Sequence, residues 1–296
     1  MMTLTTLKQT RVGAAGVRLK RSLRSKLNHA KSRVVKSLLS YDADALKARL
    51  RHAGVTETDT LLVHANFSGE SGFRGNPSDL VNALVDLVGT KGNLMMVSIP
   101  FRGSAYDYLS SGKTFNVKKT ISLMGLATEM FRRRPGTLRS FHPTHPVLVF
   151  GKDAEWLVAG HEQCLTPCGI GTPFDKFHQL RGKILFFDVS FGAITFFHYV
   201  EDLLKDRMPF PVYHPQQFAV TAIDAAGASR VIHTLTFNPA IARKAERLER
   251  RMAHDDTLRR GRVGNSRFTL VTAADVVSSF TAMVDSGDFP YSIERH

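Results

Sequence analysis

From residue 42 onward, apolar runs of strand length alternate with amphipathic segments of helix length. No other feature of the sequence restricts the fold as strongly, because such alternation is the signature of α/β architectures. Ala43–His52 reads as a helix stopped by Gly54, and Thr60–Asn66 as a strand running into a glycine-bearing loop at 69–75. Asn76-Pro77 supplies a cap and a proline at the first helical position, starting a helix to about Val88. Leu94–Ile99 is a second predicted strand. Ser122 is placed to cap a helix through Met130 that stops at Pro135-Gly136. Val147–Phe150 and Ile184–Val189 read as further strands, followed by a helix from about Phe196 to Leu204. In the last third, Phe218–Ile223 and Arg230–Leu235 predict an antiparallel hairpin. A charged helix (Ala240–Met252) and a final helix (Ala273–Val284) complete the chain.

This pattern predicts a single compact mixed α/β domain over residues 41–296, with a β-hairpin in its C-terminal part and a basic helical extension, residues 1–40, in front. A chain of 296 residues, 43% hydrophobic, is long enough to bury such a core. Ten of the fourteen net positive charges fall in residues 1–36, which hold no acid, so the body carries only four. There Leu19, Leu23, Leu27, Ala30, Val34 and Leu38 recur at helical spacing among basic residues. Residues 17–38 therefore form a candidate basic amphipathic helix for peripheral membrane contact or partner docking, with packing on its own domain the alternative. No apolar run reaches the ~20 residues of a membrane span, and no secretory leader pattern opens the chain. Cys164 and Cys168 are the only cysteines, which fits a reducing, cytoplasmic setting. Together with His161 they lack the fourth ligand and the tight spacing of a structural zinc site, so no metal is expected.

The chemistry-bearing stretch runs from Phe115 to Glu201. It contains Met124-Gly125, a helix closing in Phe131-Arg132-Arg133-Arg134-Pro135-Gly136, and then Arg139-Ser140-Phe141-His142-Pro143-Thr144-His145. Gly160-His161, Gly171-Thr172-Pro173-Phe174, Gly182-Lys183 and Thr195-x-x-His198-x-x-Glu201 follow in order, and Val63-His64-Ala65-Asn66-Phe67-Ser68 lies upstream. A histidine is suited to take a proton near neutral pH, and a carboxylate on its far nitrogen fixes the tautomer. His198 and Glu201, three residues apart, share one face of the predicted helix.

This ordered set resembles the aminoglycoside 3-N-acetyltransferase (antibiotic N-acetyltransferase) family over roughly residues 42–290. The resemblance implies direct acetyl transfer from acetyl-CoA to an aminoglycoside or amino-sugar amine, with no metal. It makes His145 the general base and Glu201 its carboxylate partner. It places the coenzyme near Asn66, Ser68, Met124 and Gly125, with Thr172 and Lys183 as further contacts, and puts His142, Thr195 and His198 on the substrate side. Several positions depart from the family pattern. Ala65 and Asn66 stand for two serines, Asn116 and Gly192 for two aspartates, Pro146 for a serine and Ile194 for an asparagine. Two lost carboxylates suit a polycation poorly, which points to a different amine, such as an amino sugar of a surface polysaccharide or another anionic or lipid-linked precursor. Two other readings stay open on the sequence. One is a member of the family that binds acyl-CoA or a partner without turnover. The other is a nucleic-acid binder working through the basic tail, which the acids Glu246, Glu249, Asp255 and Asp256 in the Arg-rich 243–262 stretch disfavour.

Overall fold

The computed structural model describes residues 37–68 and 71–292. The candidate basic helix at 17–38 lies almost wholly outside them. The chain opens with helix α1 (Ala43–His52), strand β1 (Thr60–Ala65), helix α2 (Pro77–Val88) and strand β2 (Asn93–Val97). Next come α3 (Ala105–Ser110), β3 (Phe115–Asn116), α4 (Leu126–Arg133), β4 (Leu138–Arg139), β5 (Val147–Gly151), α5 (Ala154–Val158), α6 (Pro173–Gln179), β6 (Lys183–Phe187) and α7 (Phe197–Leu203). The C-terminal part adds β7 (Phe218–Ile223), β8 (Ser229–Thr234), β9 (Ala242–Arg243), α8 (Ala245–His254), β10 (Arg259–Val263), β11 (Ser266–Thr272), α9 (Ala273–Asp285) and β12 (Tyr291–Ser292). The expected mixed α/β fold is therefore observed.

The main sheet has the order β10-β11-β6-β1-β2-β5-β4. Its centre, β6-β1-β2, is parallel, and the flanking pairs are antiparallel. Central parallel strands must be covered on both faces, and here the period-2 alternation sorts their side chains between two cores. Leu62, Met95, Val97, Val147, Val149, Ile184 and Phe186 face one core, which α6, α7, α8 and α9 complete with Phe174, Phe177, Phe197, Leu248 and Phe280. Leu61, Val63, Leu94, Met96, Leu148, Leu185 and Phe187 face the other, closed by α1, α2 and α4 through Leu46, Leu50, Leu84 and Phe131. Each fully buried Leu or Phe contributes about 1.5–3 kcal/mol. A second sheet, β3-β7-β8, contains the predicted hairpin. Its turn is held by Asp224 Oδ1, which accepts from Ala226 N and Ala228 N, both at 2.9 Å.

Local signals account for many of the boundaries. At α2 the Asn76 side chain accepts from Ser78 N and Asp79 N, while the Asp79 carboxylate accepts from Asn76 N, with Pro77 opening the helix. Helix α4 differs from expectation. It starts at Leu126 behind Gly125, whose φ of 111° suits glycine, and not at a Ser122 cap. Ser122 N instead donates to Glu129 Oε2, so a helical carboxylate reaches back to tie down the preceding turn. The charged C-terminal helix is likewise shorter than predicted, because 242–243 pair with 291–292 as strands. The β10–β11 hairpin was absent from the sequence reading. Arg259, Arg260 and Arg262 flank Gly261 on an edge strand, a charged pattern without apolar alternation that blunts the sheet edge.

Although burial alone would raise its carboxyl, Glu129 is held down at about 2 from 4.5 by hydrogen bonds from Arg132, Ser122 N and Arg133. A depressed folded pKa stabilises the protein above the unfolded value and loses that stabilisation as pH falls through the folded one. Glu129→Gln is therefore expected to lower stability by about 2 kcal/mol at neutral pH. In urea titrations at stepped pH, the gap to wild type should close between about 4.5 and about 2.

Candidate active site

In open α/β sheets, ligand crevices form beyond the carboxyl ends of parallel strands. A cavity of about 300 Å3 lies at that end of β6-β1-β2. Val63, His64 and Ala65 line it from the end of β1, Val97 and Ile99 from β2 and its exit, and Val189, Gly192, Ala193, Ile194 and Thr195 from the loop after β6. Met124 and Thr128 contribute from the start of α4, His145 from the turn before β5, and His198 from α7. Three imidazoles thus share one cavity, and none of its lining residues is an acid.

Glu201 lies just behind this wall, with no solvent exposure. Its Oε2 is 2.6 Å from His198 Nδ1, the Arg243 Nε donates to both its oxygens at 2.9 Å, and the Tyr291 hydroxyl donates to Oε1 at 2.9 Å. Burial would raise this carboxyl, but His198 and Arg243 hold it below its ordinary value and therefore ionised. The expected pairing of Glu201 with His145 does not form. The carboxylate serves His198, its neighbour one helical turn away, and His145 turns its Nδ1 to Thr144 Oγ1 at 3.0 Å. The two rings meet edge-on, centroids 5.9 Å apart. Phe237 stacks on His198 at 4.1 Å and touches the edge of His145, so one aromatic plate orients both imidazoles.

Burial holds His198 below its ordinary pKa, and the Glu201 hydrogen bond counters part of that shift. His145 is lowered further, by burial first and then by the nearby His198, His161 and Arg243 charges. Behind it His142 stacks on His161 with centroids 4.4 Å apart. His161 bridges Ser140 Oγ at 2.8 Å and the Pro167 carbonyl at 2.9 Å. Ser140 Oγ accepts from Val147 N at 2.8 Å, and the Arg139 guanidinium donates to the carbonyls of Ser98, Val117 and Thr120. The Arg-Ser-x-His-Pro-Thr-His segment is thus a turn braced at every polar residue, and its bracing aims His145 at the cavity.

The remaining predicted residues divide. Met124 and Thr195 line the cavity, and Gly125 adjoins it, since a Cβ there would come within 3.9 Å of the Ala65 carbonyl. The Asn66 amide donates to Phe187 O and its side chain is exposed, while Ser68 is half-buried in the loop beyond. Neither lines the cavity. His142 supports His145 from behind. Thr172 is fully buried at the start of α6, donating to Gly169 O. Lys183 opens β6 at the opposite end of the sheet, bonded to Asp59 and Gly54 O at 2.8 Å. Neither of these two meets the cavity. Arg243, Tyr291 and Phe237 were absent from the sequence reading, since nothing local marks a residue whose partner lies 42 or 90 positions away. Among the described residues no group of three ligand-type side chains could hold a metal.

The family model for aminoglycoside 3-N-acetyltransferase matches residues 62–285. Aminoglycoside N(3)-acetyltransferase VII of Streptomyces paromomycinus is 27% identical over 183 residues, 57% of this chain and 61% of the relative. Aminoglycoside N(3)-acetyltransferase III of Acinetobacter baumannii is 29% identical over 170 residues, 53% and 59%. The match thus spans about three-fifths of the length of these relatives. Among solved structures, aminoglycoside acetyltransferase AAC(3)-Xa superposes with a TM-score of 0.72 at 22% identity, covering 86% of this chain and 95% of that one. AAC-VIa bound to sisomicin gives 0.70 at 25%, covering 84% and 98%, and AAC-IIIb with CoASH gives 0.71 at 22%, covering 86% and 99%.

The buried histidines carry a stability signature. Burial drives His161 from 6.5 to about 3, so its stabilisation is complete above 6.5 and is lost as pH falls toward 3. A single such group contributes a slope of about 1.4 kcal/mol per pH unit in that window. Melting temperatures should fall from neutral pH to mildly acidic pH, and His161→Asn should flatten that slope while lowering stability at neutral pH.

Proposed function

This chain belongs to the aminoglycoside 3-N-acetyltransferase family, and from that premise we propose that it transfers an acetyl group from acetyl-CoA directly to an amino-sugar amine. The observation that carries the reading is His198 on the cavity wall, its Nδ1 held by a sealed carboxylate and its Nε2 without a partner among the described residues. With Glu201 ionised, the His198 proton resides on Nδ1 and the Nε2 lone pair faces the cavity. His198 then removes the ammonium proton that blocks attack, and Glu201 stabilises the imidazolium that forms. Arg243 and Tyr291 keep the carboxylate from rotating away. His198, and not His145, is accordingly the base in this reading.

The cavity suits the reacting end of the co-substrate. Val63, Val97, Ile99 and Ile194 supply apolar walls for a thioester. The first amides of α4, behind Gly125, have no acceptor within the helix and are available to polar groups of the coenzyme. The acceptor end lacks any carboxylate. Gly192 leaves its stretch of wall bare, and Asn116, outside the cavity lining, spends its side-chain oxygen on the amides of Lys118 and Lys119. A polycationic aminoglycoside would find neither ion pairs nor a focusing negative field there. The preferred acceptor in this reading is an amino sugar with few positive charges.

Thiol release from acetyl-CoA against a panel of mono-amino sugars and aminoglycosides tests the proposal. Turnover is expected with kcat/KM higher on a mono-amino sugar than on gentamicin, and His198→Ala should cut kcat by about 10²–10⁴-fold. Acetyl-CoA binding without turnover on any amine would replace this reading with a non-catalytic acyl-CoA binder. Efficient acetylation of gentamicin would overturn the acceptor class alone.

A further inference from the structure

Of the three imidazoles lining the cavity, His145 and His198 differ in the hydrogen-bond partners of their Nδ1 atoms. His142 Nδ1 lies 3.3 Å from Thr144 N and 3.4 Å from His145 N. A ring nitrogen facing two amide donors is an acceptor, so the neutral His142 carries its proton on Nε2, 3.2 Å from Thr234 Oγ1. Thr144 is fully buried and has one hydroxyl proton to place. Its two ring-nitrogen neighbours are His142 Nδ1 at 3.3 Å, already shared by two amides, and His145 Nδ1 at 3.0 Å, which has no other partner. A hydroxyl that donates over the shorter, unshared contact directs its proton toward His145 Nδ1. A neutral imidazole that accepts at Nδ1 holds its proton on Nε2. His145 is 4% exposed and lines the cavity, with no partner for that N–H among the described residues. His198 is the mirror case, with its proton on Nδ1 toward Glu201 and a bare Nε2.

We propose that His145 is the hydrogen-bond donor to the thioester carbonyl oxygen, and that Thr144 is the positioning residue that sets its tautomer. The proposal rests on the acetyl-transfer reading above. The amine nitrogen bonds to the thioester carbon, and the carbonyl π pair moves onto oxygen, where His145 Nε2–H stabilises it. The first ammonium proton has already passed through His198 to solvent, leaving the free amine, and His198 Nε2 now takes the second proton released from nitrogen as the N–C bond forms. The oxygen pair returns, the C–S bond breaks, and the departing thiolate takes that proton from His198 to leave as the free thiol. With both of these imidazoles acting as bases, neither would donate to the developing oxyanion. A donor and a base meet both demands of the reaction with one residue type.

The test uses the full chain with 15N-labelled histidine, read by two-bond 1H–15N correlation at neutral pH. His145→Gln and His198→Gln identify the two spin systems by their loss. His145 is expected as the Nε2–H tautomer and His198 as the Nδ1–H tautomer. Thr144→Val should shift His145 away from Nε2–H, and Thr144→Ser should restore it. An Nδ1–H tautomer at His145 in the wild type would overturn the proposal. The infrared carbonyl stretch of isotope-labelled acetyl-CoA supplies a second readout that needs no acceptor. It should move to lower frequency on binding, lose that shift in His145→Ala, and keep it in His198→Ala. An unchanged shift in His145→Ala would refute the donor role. Under turnover, His145→Gln should lower kcat by about 10²-fold yet keep the acidic limb of the pH profile, which His198→Gln abolishes. Absence of turnover on every amine would count against the acetyl-transfer reading, while the tautomer and infrared results would still decide the role of His145.

Discussion

The site is organised around one sealed carboxylate. Glu201 has no solvent exposure, and taking it out of water costs several kcal/mol unless its oxygens are filled. Arg243, Tyr291 and His198 fill them, and each comes from a different element: β9, β12 and α7. The short β9–β12 pairing brings the arginine and the tyrosine to the same carboxylate. Satisfying one buried charge thereby locks three distant segments, and the imidazole that completes the set is the one whose other nitrogen reaches the cavity. Structural necessity and chemical orientation are the same hydrogen bonds here.

Around that centre the sheet supplies rigidity. Parallel strands β6, β1 and β2 end together, and their side chains are committed to two cores, so the crevice beyond them has a fixed floor. The residues that approach the floor come from loops, but these loops are braced. Arg139 donates to three backbone carbonyls, Ser140 joins the start of β5 to His161, and Phe237 packs against His145 and His198. A site assembled this way loses little entropy on ordering its reactive groups, because folding has already ordered them.

Electrostatically the cavity is neutral where relatives that act on aminoglycosides would be expected to profit from acid. Burial keeps His64, His142, His145 and His161 below their ordinary pKa, with His64 at about 4 and His161 at about 3. In the proposed transfer the base must be unprotonated to act, which burial favours here. Ten of the fourteen net positive charges lie in residues 1–36.

The sequence by itself determined the class of fold and singled out part of the cavity wall: Met124, His145, Thr195 and His198. Alternating segments, the Asn76-Pro77 start of α2 and the apolar runs of β1, β2 and β6 are local signals, and local signals survive reading one residue at a time. The ordered motifs from Phe131 to Glu201 pointed to the family, and the three-residue spacing of His198 and Glu201 already put them on one helical face. Tertiary structure decided the pairing. Which imidazole received the carboxylate depended on Arg243 and Tyr291, whose distances of 42 and 90 residues in sequence leave no periodic trace. Lys183 and Thr172 read as coenzyme contacts until the strand direction and the buried start of α6 placed them away from the cavity. The β10 edge escaped because a charged, solvent-facing strand lacks the apolar alternation that betrays one. Hydrogen bonds to a buried charge are chosen by what the folded chain brings within 3 Å, and sequence order does not encode that distance.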